Sequence, residues 1–181
     1  GTTTGDYATG ATYGAENVWT NDFVGVWHLN EDPGTAGSGG VIDSTNNNNN
    51  GTDQGSMDSS DAVAGQLGGG FDFDGADDAV LVSGLLGSPT VSTLSAWAEV
   101  DSNDAGGSGL VSLGDNLGIF LFESGAYTGG FFRDGVNWRV AEGNDIEGGS
   151  WSHVVYTRDD AVSLQTVYVN TVSDTSTFSG D

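Results

Sequence analysis

Residues 65–83 read GQLGGGFDFDGADDAVLVS, and their spacing decides the fold. Phe71 and Phe73 alternate with Asp72 and Asp74, which in an extended chain puts the aromatics on one face and the acids on the other. Gly75 then turns the chain, Asp77 and Asp78 follow, and Ala79-Val80-Leu81-Val82 resumes an apolar run. The stretch predicts a strand, a turn crowded with carboxylates, and a second strand. Carboxylates packed this densely repel one another unless they are solvated or gathered around a cation.

Working outward, the chain has 181 residues, enough for a proper core, and 31 glycines against 2 prolines suit many short strands joined by tight turns. No long stretch has helical periodicity, so the expectation is all-β. The charge balance is extreme: 26 acidic residues face 3 arginines and no lysine, for a formal net charge of -23. Phosphate binding needs clustered cations, so nucleic acid and anionic membranes are poor partners. Cations, neutral sugars or a basic protein surface fit better, and most of the acids read as a hydrated coat for a salty habitat. Cysteine is absent, which removes disulfides and thiolate chemistry. No transmembrane run or signal peptide is present. A start at Gly-Thr-Thr-Thr without methionine suggests a processed chain or an excised segment.

Five motifs lie in a fixed order: Val26-Trp27-His28-Leu29-Asn30; Asp43-Ser44-Thr45-Asn46; Gly65 through Asp78; Leu94-Ser95-Ala96-Trp97; and Trp151-Ser152-His153-Val154-Val155-Tyr156 leading to Val167-Tyr168-Val169-Asn170. Together they resemble the laminin G-like, concanavalin A-like lectin/glucanase domains of secreted bacterial and archaeal proteins. The resemblance spans about residues 23–178, with residues 1–22 as a lead-in and 23–181 as the domain. It implies a jelly-roll sandwich of two antiparallel sheets and an extracellular or cell-surface location. The family normally adds two strands after its Val-Tyr-Val-Asn strand, so this chain is expected to lack the usual final strands. That would leave an open edge for the lead-in, or for a neighbouring surface-protein chain by self-association.

Strands are expected at residues 23–29, 93–100, 109–113, 117–122, 127–133, 136–141, 151–157 and 162–170, with a type I′ turn at Asp134-Gly135 and mostly loop over 30–62. The Asn46–Asn50 run tempts an EF-hand reading, but its twelfth position is Met57 rather than a bidentate glutamate.

For metal, the resemblance implies calcium at Asp77 and Asp78 with backbone carbonyls, the alternative being a solvated acidic turn. Asp43, beside the asparagine run, is a weaker candidate. His28 and His153 stand singly and read as packed core residues rather than zinc ligands. A related glucanase family carries Glu-x-Asp-x-Glu on one strand, which faces all three acids one way. Here Glu142-Gly143-Asn144-Asp145-Ile146-Glu147 has one residue too many, which throws Glu142 to the opposite face, and its glycine-rich setting reads as a loop. Catalysis is therefore not expected. Sugars stack on exposed aromatics, and Trp138 and Tyr127 are the candidate platforms, with Arg133 and Arg139 flanking them. Trp27, Trp97 and Trp151 sit in apolar strands and read as core. The functional expectation is a non-catalytic glycan-binding or adhesion module with structural calcium. Its rival is a spacer or filament subunit completed by strand exchange.

Overall fold

The computed structural model describes residues 18–85, 89–101, 108–114, 116–121, 127–134 and 137–177, with Tyr127 and Asp134 described by backbone alone. Residues 1–17 of the lead-in and the Gly135 half of the expected hairpin turn lie outside these. Contacts divide the chain into two compact units, Gly1–Leu85 and Leu86–Asp181.

In the second unit, alternation along the sequence becomes alternation of burial. Strand β5 (Val91–Ala98) sends Leu94 and Ala98 inward and Thr93, Ser95 and Trp97 outward. It pairs with β10 (Ser152–Asp159), which pairs with β11 (Leu164–Val169), which pairs with β12 (Val172–Thr177). The second sheet runs in the order β6 (Gly109–Leu113), β7 (Leu117–Leu121), β8 (Tyr127–Asp134), β9 (Asn137–Asp145). Both sheets are antiparallel. They stack face to face, with β12 over β9 and β5 over β6. Tyr156, Phe132, Leu117, Ile119, Val154 and Val167 fill the space between. Each apolar side chain buried here contributes about 1.5–3 kcal/mol. The Tyr156 hydroxyl donates to Gln165 Oε1 at 2.8 Å, so this buried polar pair is satisfied. Burial raises the Tyr156 pKa well above the usual phenol value, so the proton stays on.

Two departures in this unit concern the ladder. Strand β12 was not expected, because Val172-Ser173-Asp174-Thr175-Ser176-Thr177 carries little apolar pattern. A tight turn builds it: Asn170 adopts a left-handed φ of 54°, and Val172 returns opposite Val169. Residues 142–145, expected as loop, continue β9. Gly129 pairs with Glu142 and Tyr127 with Asp145, so two steps on β8 match three on β9. That extra residue is a β-bulge.

The first unit is mostly loop around a small core of Val41, Met57 and Phe71, with Trp27, Leu29 and Val80 against it. Among its described residues the named elements are a helical turn α1 (Pro33–Ala36) and four strands: β1 (Thr52–Gln54), β2 (Ala62–Gly65), β3 (Gly68–Phe71) and β4 (Ala79–Leu81). Strand β2 pairs with β3, and β1 with β4. The quoted stretch does give a strand, an acidic turn and a strand, but β3 stops at Phe71. Phe73 is therefore 44% exposed rather than on a shared buried face.

The strand expected at residues 23–29 is absent apart from a bridge between Trp27 and Asp43. Side chains replace the ladder there. Asn47 Nδ2 donates to the carbonyls of Phe23 and Val24, Asn49 Nδ2 donates to Val24 O at 2.7 Å, and Trp27 Nε1 donates to Asn49 O at 2.9 Å. The asparagine run thus straps this segment down, amides doing what strand backbone would.

Candidate functional site

Three places in the described residues carry candidate chemistry. The acidic turn comes first. Asp74, Asp77 and Asp78 each offer a carboxylate oxygen within 4.8 Å of the other two. Turn backbone explains the convergence: Ala76 N and Asp77 N donate to Asp74 Oδ1, and Asp74 N donates to Asp78 Oδ2. The Ala76 N–H above all holds the Asp74 carboxyl below its usual range, so it stays charged. Gly55, at φ 80°, backs the turn closely. A Cβ there would come within 2.6 Å of Asp78 Oδ1 and 2.7 Å of Asp77 O. One carboxylate oxygen from each of Asp74, Asp77 and Asp78 makes a hard-oxygen set of the kind calcium takes, so these residues fit that ion. Reading the sequence picked out Asp77 and Asp78. Asp74 joins them in space because the turn folds it back onto them.

Asp43 has a different role. Its carboxylate is buried and accepts four hydrogen bonds: Val26 N and Thr45 N on Oδ1, Thr45 Oγ1 and Asn49 N on Oδ2. Burial pushes its pKa up, but these donors outweigh that and hold it below the usual range. With both oxygens doubly occupied, Asp43 organises the loop and has no lone pair to offer a metal.

The third place is the outer face of the β6–β9 sheet. The register puts Arg133 opposite Trp138, and Phe131, Val140 and Phe120 on the same face. Trp138 is 53% exposed, and its underside is braced by Phe131 at 5.1 Å, which is itself packed edge-on against Phe120 at 5.6 Å. The Arg133 guanidinium lies 5.7 Å from the indole centroid. Gly118 makes room for Phe131, since a Cβ there would sit 2.8 Å from its ring. Tyr127 lies on the same strand as Arg133, its side chain outside the description. Arg139 does not join them: it pairs with core-facing Phe132 and is half-buried on the inner side.

The bulge changes the position of the acids. Because it adds one residue, Glu142 and Asp145 share the outer face, which overturns the geometric ground on which catalysis was set aside. Glu147 follows at the next outward position, its N–H donating to Asp145 Oδ1 at 2.8 Å. All three side chains are exposed. Glu142 also lines a polar cleft of about 240 Å³ with Asn144, Ser173 and Asp174, between the β9 and β12 edges, which sequence spacing gave no means of finding.

Other assignments are corrected by the same faces. Trp97 is outside the core and stacks on His153, while His28 is exposed and lies 5.8 Å from Trp19. Trp97 falls on the outward-facing positions of β5, where it is 41% exposed. The half-buried Trp27 packs against the first unit's core as expected.

The acidic turn, the antiparallel sheets and the strand order from β5 onward fall within a single family match. The family model described as the concanavalin A-like lectin/glucanases superfamily, of laminin G type, matches residues 74–180. The chain belongs to this superfamily. The match opens at the acidic turn and takes in every strand of the second unit, and the antiparallel sheets agree with the β-sandwich of the superfamily. No curated protein and no solved structure matches the chain. Laminin G-like domains are often extracellular, and no helix among the described residues is long and apolar enough to cross a membrane.

Proposed function

We propose that this chain is a non-catalytic, extracellular glycan-binding module of an adhesive surface protein, with calcium held structurally by Asp74, Asp77 and Asp78. The observation that carries the reading is Trp138, a half-exposed indole braced from below by Phe131 and flanked by Arg133. An immobilised aromatic ring beside a cation is sugar-binding chemistry: stacking supplies affinity, and the guanidinium supplies orientation. Arg133 extends the range to acidic sugars, and the exposed Glu142 and Asp145 favour binding over hydrolysis. Calcium at the turn would offset the repulsion among three carboxylates and tie down a loop that no disulfide can staple.

A glycan array with the purified chain, run with calcium and with a chelator, tests this. Binding to a sugar class that Trp138→Ala abolishes is expected, with no reducing sugar released from the bound glycan. A blank array from folded protein refutes it. A second reading, a surface-filament subunit completed by a neighbour's strand, is favoured by the β9 and β12 edges lying together beside an open cleft. High-mass assemblies in sedimentation, with a blank array, would support it.

A further inference from the structure

The outer face of the β5–β10–β11–β12 sheet departs from the acidic character of the chain. Of 26 acidic residues, these strands turn one onto this face, Asp159, at the end where it pairs with Val91 and Leu164. At the other end Trp97, 41% exposed, stacks on His153 with rings 5.0 Å apart and 29° from parallel. The imidazole is fixed in turn: Nε2 shares a 2.8 Å hydrogen bond with Ser95 Oγ, and His153 N donates to Asn170 Oδ1 at 3.0 Å. Tyr168, 40% exposed, stands two strands across and one rank along, about 12 Å away at ordinary strand spacing. Threonine hydroxyls of residues 157, 166 and 175 form the adjoining rank. Glu99 lies past the end of β5, its carboxylate beside Gly149.

We propose that this face is a second sugar platform, separate from Trp138, which takes a short stretch of neutral polysaccharide with one ring stacked on Trp97. The indole is held by His153 on one side, so little freedom is lost when a sugar covers the other. Tyr168 and the hydroxyl rank extend the contact to the reach of an oligosaccharide. Charge selects the occupant. An anionic ligand meets no cation here, and a second copy brings another net charge of -23 against the first, so a neutral chain is the partner this face fits. Platforms on opposite sheets of one sandwich would let a single molecule bridge two polysaccharide strands.

Affinity electrophoresis through gels containing mixed-linkage β-glucan, xyloglucan or galactomannan tests this with wild type, Trp138→Ala, Trp97→Ala and the double variant. Trp138→Ala is expected to remain retarded in at least one gel. Trp97→Ala should bind about ten-fold more weakly at that remaining site, Trp97→Phe should keep part of it, and the double variant should run as in a blank gel. Far-ultraviolet circular dichroism checks that each variant folds. Trp138→Ala running unretarded in all three gels, or Trp97→Ala retarded as strongly as wild type, overturns the proposal. A dimer in sedimentation that Trp97→Ala dissolves would assign the face to a second copy and overturn it as well.

Discussion

Replacing Asp43 with alanine should cost the Gly1–Leu85 unit about 4 kcal/mol. Its two bonds with Thr45 are buried, and each is worth about 1.5 kcal/mol as a hydrogen bond to a charged acceptor. Its bonds from Val26 N and Asn49 N are part-buried, and water can replace them, so about 0.5 kcal/mol each is appropriate. Removing one of 26 acids relieves some repulsion, a gain that salt reduces to well under about 1 kcal/mol. Asp43→Asn keeps an oxygen for Val26 N and Thr45 N but gives up the acceptor of Asn49 N, and should lose about half as much. The two compact units do not license a single unfolding curve. The assay is therefore hydrogen exchange of peptides spanning residues 41–51 along a urea series in calcium-free buffer. A loss below about 1 kcal/mol in the alanine variant would refute the reasoning.

The same carboxyl sets an acid limit for that unit. Its folded pKa is depressed, so its contribution is complete above the unfolded carboxylate value of about 3.9 and is lost as pH falls from there through the folded value. Protection of residues 41–51 should hold above about pH 5 and fade below about pH 4, and Asp43→Asn should flatten that dependence. In the second unit, Gly130→Ala would place a Cβ 1.8 Å from Tyr156 Cδ2 and should cost about 3 kcal/mol in a urea melt followed by hydrogen exchange of peptides spanning residues 152–159. Tyr156→Phe leaves Gln165 Oε1 buried without its donor and should cost about 1–3 kcal/mol by the same melt. If calcium fills the acidic turn, titration calorimetry should show heat that Asp78→Asn abolishes, and exchange at residues 72–80 should slow on adding the ion.

The β5–β11 core strands were legible because period-2 alternation records burial directly: Leu94 and Val154 point in, Ser95 and Val155 out. Strand β12 was not legible, since its stability comes from pairing with β11 and from the Asn170 turn rather than from its own apolar residues. Residues 23–29 misled for the opposite reason: they look like a strand, but the carbonyls of Phe23 and Val24 are met by amide side chains more than twenty positions away, and Val26 N by the Asp43 carboxylate. At the acidic turn, residue type gave the chemistry and turn geometry gave the membership, so Asp74 joins Asp77 and Asp78 in three dimensions. Trp138 and Arg133 came together because cross-strand neighbours in a hairpin can be counted from its turn. Arg139, one position further, points the other way by the same rule, a parity that the motif reading overlooked.

The extra residue in β9 also bears on how this sheet tolerates changes in chain length. In the regular stretches of either sheet, inserting or deleting one residue would swap every later side chain between core and solvent, and β6 has an irregularity of its own between Gly109 and Val111. Within 142–145 the swap has already occurred and been absorbed: Gly143 packs toward Val167 and Val169, Ile146 is again buried, and the ladder resumes. A shorter chain lacking one residue here could restore the regular ladder and keep the same inside and outside assignments. The edge of β9 is thus a point where length can drift without changing the core, and alignments of this segment should be judged by facing rather than by count.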